Sequence, residues 1–154
     1  MNFTGEIKRE LLAKKMNSVE EKRAATSAFM RTNGTLSYSR SGLGFVLVTE
    51  SEKVGERFIS LLEELYGASC MTNAEEDRLS GRDKLTLIYN GEEALDILID
   101  LGIFERESEE ENYGLFSGIS RRIVKTEAAR LAYVTGAFLG SGSCTLPKEG
   151  AKTG

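Results

Sequence analysis

The chain has 154 residues, 40% of them hydrophobic, which is enough for one domain with its own core. Its formal net charge of −4, from 20 basic and 24 acidic residues, argues against a generally basic nucleic-acid binder. It has no histidine and only two cysteines, Cys70 and Cys144, so a zinc cluster of the usual kind and a serine or cysteine hydrolase base are both missing.

The first twenty residues carry charges throughout and the longest apolar runs are far too short to span a bilayer, so neither a signal peptide nor a membrane segment is visible. A reduced cytoplasmic setting is the simplest reading. Residues 3–15 predict an opening helix, with Thr4 as its cap and Ile7, Leu11 and Leu12 on its buried side. Charge is uneven: residues 1–40 hold eight Lys or Arg against four Glu, and residues 41–154 hold twelve against twenty. Lys8, Arg9, Lys14, Lys15, Lys22 and Arg23 are the densest basic cluster, either a phosphate-facing patch or a solvated helix surface.

A loop at Asn17 and Ser18 leads to a helix in the stretch 21–36, EKRAATSAFMRTNGTL. Its apolar residues Ala24, Ala25, Ala28, Phe29 and Met30 are mostly small, so it is expected to be central and closely packed, and Gly34 stops it. Two strands follow, residues 35–40 and 45–49, turning around Ser41 and Gly42. In the first, Leu36 and Tyr38 alternate with Ser37 and Ser39, as in a half-buried strand; in the second, FVLV is apolar on both faces and suits a central strand. Thr49 with Glu52 reads as a capping box for an amphipathic helix built on Val54, Phe58, Leu61, Leu62 and Leu65, closed by Gly67. Residues 68–74 and 84–89 are the next expected strands, and Asn90 with Glu93 caps a helix over 92–101 that Gly102 ends.

The run 105–112, ERESEEEN, has no apolar anchor and reads as a flexible linker, followed by a loop that re-enters the body at Leu115, Phe116 and Ile119. Arg121, Arg122 and Lys125 then either touch phosphate or balance the acidic run. Residues 125–144, KTEAARLAYVTGAFLGSGSC, begin as a helix capped by Thr126, with Ala128, Leu131, Ala132, Thr135, Ala137 and Phe138 at helical spacing. Gly136 and Gly140 lie one turn apart on a single face, where the missing side chains let another backbone approach. Sliding the earlier helix by 108 positions places Ala28 over Gly136, Thr32 over Gly140, Asn33 over Ser141 and Gly34 over Gly142. That match suggests a duplicated unit, with Ala28, Thr32, Gly136 and Gly140 as the packing residues. If the face of Gly136 and Gly140 were open, it could also pair two copies of the chain. The GSGS of residues 140–143 sits at a helix end, where the dipole is negative, so it is a packing and turn element rather than a phosphate loop.

The segment AYVTGAFLGSGS resembles the signature helix of the LAGLIDADG homing endonucleases in a degenerate form. With the opening NFTGEIKRELL and the first motif helix, the pattern is similar to the amino-terminal domain of the WhiA family of bacterial sporulation and cell-division regulators. The resemblance implies an α+β fold, with helices on one face of an antiparallel sheet. It divides the chain into a leading helix and first repeat over 1–104, an acidic linker and loop over 105–120, and the start of a second repeat over 121–154. Only TLPKEGAKTG follows Cys144, so the second half of the saddle and a carboxy-terminal helix-turn-helix domain are expected to lie outside this sequence.

In active LAGLIDADG nucleases an acidic residue at the end of each motif helix holds a divalent cation, since hard magnesium needs anionic oxygen ligands. Carried onto this chain, those positions are Asn33 and Ser141, and the neighbouring ones are Arg31 and Leu139, so no catalytic residue, metal or cofactor is expected. The resemblance also implies a sheet that sits over double-stranded DNA. Its outward set here is Ser37, Ser39, Arg40, Lys84 and Thr86, which also read as ordinary exposed strand positions. The implied role is a non-catalytic DNA-binding regulator of cell division, chromosome segregation and sporulation, associated with the nucleoid. The alternative is a protein-interaction module that leaves DNA to the helix-turn-helix, with protein partners in cell division.

Overall fold

The computed structural model describes residues 3–13, 15–40, 42–77, 82–107, 112–115 and 119–141. Helix α1 (Phe3–Ala13) opens the fold, and because it already includes Phe3, Thr4 stands inside the first turn rather than capping it. Helix α2 (Val19–Asn33) starts at a capping box formed by Ser18 and Glu21. Ser18 Oγ accepts from the Glu21 amide at 3.1 Å and donates to Glu21 Oε1 at 3.0 Å. The serine placed in the loop is thus the helix's first anchor.

Strands β1 (Gly34–Ser39) and β2 (Gly42–Thr49) form the first hairpin, and β3 (Met71–Asp77) and β4 (Arg82–Asn90) the second. They join into one antiparallel sheet in the order β1-β2-β4-β3, so the all-apolar FVLV segment is in a central strand, as its pattern predicts. Helix α3 (Glu52–Tyr66) lies between the hairpins and α4 (Ala94–Asp100) follows the second. The predicted order of helix, helix, hairpin, helix, hairpin, helix is the observed one.

Two predicted caps are displaced. Thr49 remains in β2 opposite Leu85, so Ser51 caps α3 instead, its Oγ accepting from the Val54 amide at 3.3 Å. Asn90 likewise remains in β4 opposite Gly44, and Glu93 stands at the N-cap of α4 without a side-chain hydrogen bond. Sheet pairing satisfies those backbones first and moves the cap two positions on, to Ser51, and three positions on, to Glu93. Gly67 and Gly102 end their helices at positive φ, 66° and 74°, where a Cβ is strained.

The core lies between the sheet and the helices. Phe29 of α2 stacks on Phe58 of α3 with ring centroids 3.9 Å apart and planes 3° from parallel, and both are fully buried with Phe45, Leu47, Leu62 and Leu87. Each such side chain contributes about 1.5–3 kcal/mol of burial. Polar ties then lock α2 to the end of α4. Ser27 Oγ donates to the Leu101 carbonyl at 2.6 Å and an Arg31 Nη to the Gly102 carbonyl at 2.9 Å. Arg23 Nε and the Tyr66 hydroxyl both reach Asp100 Oδ2, at 2.9 Å and 2.6 Å.

Beyond α4 the structure departs from the flexible linker expected over 105–112. Phe104–Glu107 (β5) pairs antiparallel with Asn112–Leu115 (β6), Phe104 opposite Leu115 and Glu107 opposite Asn112. Backbone hydrogen bonding pairs these two short strands. Leu115 belongs to β6, Phe116 lies outside the described residues, and Ile119 is 50% exposed rather than returned to the core. Arg122 donates to the carbonyls at the end of α4, those of Ile99 and Asp100. Helix α5 (Glu127–Ser141) closes the fold, with Thr126 Oγ1 accepting from the Ala129 amide at 3.0 Å.

Candidate functional site

The two motif helices, α2 and α5, pack against each other through small residues. Ala129, Ala132, Gly136 and Leu139 of α5 are buried, whereas Leu131 and Val134 are 64% and 65% exposed. Leu131 therefore does not belong to the buried stripe in which its spacing placed it. A Cβ on Gly136 would stand 2.8 Å from the Ala25 Cα, closer than real contacts allow, so the backbones meet directly. Around Gly140 the neighbours are side chains: Thr32 Oγ1, Asn33 Oδ1 and Phe29 Cδ1. Ala28 is fully buried. The face of Gly136 and Gly140 is thus filled by α2 of the same chain.

The helix ends here are where the resemblance places a divalent cation. Asn33 Nδ2 donates to the Val48 carbonyl at 2.5 Å, while Asn33 Oδ1 is buried without a hydrogen-bond partner among the described residues. Thr32 Oγ1 is already engaged with the Ala28 and Phe29 carbonyls, both at 3.1 Å. Arg31 points to Gly102, and Leu139 is fully buried. One neutral amide oxygen and no carboxylate do not make a cage for a hard cation that takes about six oxygens, so these residues do not fit the metal.

Strand register fixes which side chains face away from the helices. Leu36 pairs with Phe45, and Leu87 with Leu47, on the core side. Thr35 and Ser37 of β1, Val46 and Val48 of β2, and Lys84, Thr86 and Ile88 of β4 alternate to the outward side. Ser37, Lys84 and Thr86 therefore share one face, Ser39 stands at the matching register position opposite Gly42, and Arg40 is exposed in the adjoining turn. The centre of that face is a half-buried strip of Val46, Val48 and Ile88, a feature the sequence reading did not draw out of FVLV. Lys84 stands opposite Glu75 of β3 in the ladder. Tyr38, expected in a half-buried strand, is 75% exposed near the end of β1, an edge strand.

A family model described as the WhiA N-terminal LAGLIDADG-like domain matches residues 19–103, from the first residue of α2 to just past α4. The chain belongs to the WhiA family. The probable cell division protein WhiA of Lactobacillus johnsonii is 28% identical over 148 residues, covering 96% of this chain and 45% of that protein. The protein of the same description from Bacillus cytotoxicus gives the same identity and coverage. The chain thus spans about half the length of the WhiA relatives it matches. Among solved structures, the N-terminal LAGLIDADG domain of DUF199/WhiA superposes with a TM-score of 0.61 at 17% identity, over 90% of this chain and 58% of that one. Full-length DUF199/WhiA from Thermatoga maritima gives 0.57 at 18% identity, over 90% and 39%. The fold is therefore the α+β, LAGLIDADG-like WhiA fold. No helix among the described residues is long and apolar enough to cross a membrane.

Proposed function

We propose that this chain is part of a non-catalytic, DNA-binding transcriptional regulator that acts in cell division, chromosome segregation and sporulation, in the cytoplasm and on the nucleoid. Membership of the WhiA family, whose relatives here are named probable cell division proteins, carries the reading. The motif-helix junction supports the absence of catalysis: the positions that hold metal in the nucleases are Asn33 and Ser141 in this chain, and neither is a carboxylate. The outward sheet face, with Ser37, Thr86, Lys84 and the adjoining Arg40, is the surface offered to double-stranded DNA. Its few cations make the contribution of this chain alone modest and steeply salt-dependent.

Fluorescence anisotropy of a labelled duplex, titrated without metal at two salt concentrations, tests the reading. Saturable binding that weakens with salt and is lost in Arg40→Glu/Lys84→Glu supports it; equal binding by wild type and the double variant sinks it. A second reading, a protein-interaction module, is favoured by the apolar strip of Val46, Val48 and Ile88 and by Glu75 opposite Lys84. Under that reading the same titration shows no binding even at low salt, and DNA recognition belongs to another part of the full-length protein. Self-association is part of the proposal only through the outer side of α5, Leu131 and Val134, because the glycine face is filled. Sedimentation of wild type and Leu131→Glu at high concentration tests it: a monomer in both ends the idea.

A further inference from the structure

The four-stranded sheet ends in two edge strands, β1 and β3, of opposite character. The β3 edge carries Glu75, Glu76 and Asp77, charges that repel a second edge of the same kind. The β1 edge, GTLSYS, has no charge and no proline, and its pairing with β2 runs from Gly34 opposite Leu47 to Ser39 opposite Gly42 without a bulge. The usual devices against edge-to-edge pairing are therefore missing from this strand.

The hairpin register fixes which backbone groups β2 leaves over. Only positions 40 and 41 separate Ser39 from Gly42, so those two residues bond to each other through amide and carbonyl, and by alternation Ser37 bonds to Gly44 and Thr35 to Val46. The amides and carbonyls of Leu36 and Tyr38, with the carbonyl of Gly34, point the other way and have no backbone partner among the described residues. The Gly34 amide is taken by the Met30 carbonyl at the end of α2.

We propose that β1 pairs antiparallel with β1 of a second copy of this chain, Leu36 opposite Leu36, to give a two-fold dimer with one continuous sheet. The register is self-complementary, as an isologous contact must be. Each Leu36 amide donates to the Leu36 carbonyl of the other copy, and each Tyr38 amide to the Gly34 carbonyl. The exposed Tyr38 ring comes opposite Gly34, where no side chain obstructs it and an aromatic shields a glycine backbone. Thr35 comes opposite Ser37, a hydroxyl pair suited to the outward side. No charged side chain of either strand meets another. The contact is separate from the Leu131 and Val134 side of α5, and it does not depend on what the outward face of the sheet binds.

Sedimentation of the full chain over a range of concentrations, with amide hydrogen exchange read by NMR at both ends of the range, tests it. The mass is expected to rise toward the dimer with concentration. Exchange at Leu36 and Tyr38 is expected to slow severalfold once the dimer predominates, and exchange at Thr35 and Ser37, already bonded to β2, to change less. Tyr38→Pro removes an amide that the monomer does not use, at an exposed edge position, and is expected to stay monomeric with the melting temperature of the monomeric wild type. Leu131→Glu is expected to dimerise as wild type does. A monomer at the highest concentration, a dimer that persists in Tyr38→Pro, or exchange at Leu36 and Tyr38 that ignores concentration overturns the proposal. A monomer in which those two amides slow only on addition of a foreign extended peptide assigns the edge to another protein and also overturns self-pairing.

Discussion

At the scale of residues, Asp100 is the point where three elements meet, since Arg23 of α2 and Tyr66 of α3 share its Oδ2. Burial, then the hydrogen bond and charge of Asp100, push the Tyr66 hydroxyl well above its ordinary range. For Arg23, burial acts to lower the value, but the hydrogen bond and charge of Asp100 outweigh it and the guanidinium is raised. Because the folded state favours protonated Tyr66, its contribution to stability is complete below the ordinary tyrosine value of about 10 and declines as pH rises above it. Chemical denaturation of Tyr66→Phe between neutral pH and pH 11 is expected to show a shallower alkaline loss than wild type. Arg23→Ala leaves Asp100 with one partner fewer; both side chains are partly exposed, so the cost is about 1–2 kcal/mol. None of this was legible beforehand. Arg23 and Asp100 stand 77 positions apart, and nothing local to either residue marks a partner.

At the scale of elements, the seam between α2 and α5 discriminates between its two glycines. Alanine at Gly136 meets the Ala25 backbone, which cannot turn aside, whereas alanine at Gly140 meets the side chains of Thr32, Asn33 and Phe29. Thermal denaturation is expected to show Gly136→Ala destabilised by about 2–3 kcal/mol and Gly140→Ala by less, in keeping with the usual cost of overpacking. Phe29→Ala, which empties the stack on Phe58, costs about 3–5 kcal/mol. The helices and the first four strands were readable because their periodicity and glycine stops are local signals. Ala24, Ala25, Ala28 and Phe29 announced a crowded helix, and FVLV a central strand. What failed was set by distant parts of the chain. Thr49 and Asn90 lost their capping roles to strand partners at Leu85 and Gly44, and Leu131 was placed by spacing on a face that α2 does not cover.

At the scale of the whole molecule, the junction of the motif helices predicts behaviour toward metal ions. With no carboxylate at Asn33 or Ser141, supercoiled plasmid incubated with this chain and magnesium is expected to stay intact, and EDTA is expected to leave the melting temperature unchanged. Cleavage that is lost in Asn33→Ala would reverse that assignment. The candidate interfaces were legible only in part. The outward alternation of Ser37, Lys84 and Thr86 follows from strand period, but their partners, Glu75 among them, follow from register, which sequence alone does not fix.

The seam between α2 and α5 also has a history within each molecule. Ala25 and Gly136, which touch, are 111 positions apart, so their contact closes after nearly everything between them has been synthesised. At the usual pace of translation, about 5–20 residues per second, roughly 5–20 seconds pass between the appearance of the two. Throughout that interval the small-residue side of α2 is finished but uncovered, and any apolar helix of suitable shape competes for it. A nascent chain stalled before residue 127 is expected to be captured by chaperones and cut readily by protease near α2, and one released after residue 141 to resist both.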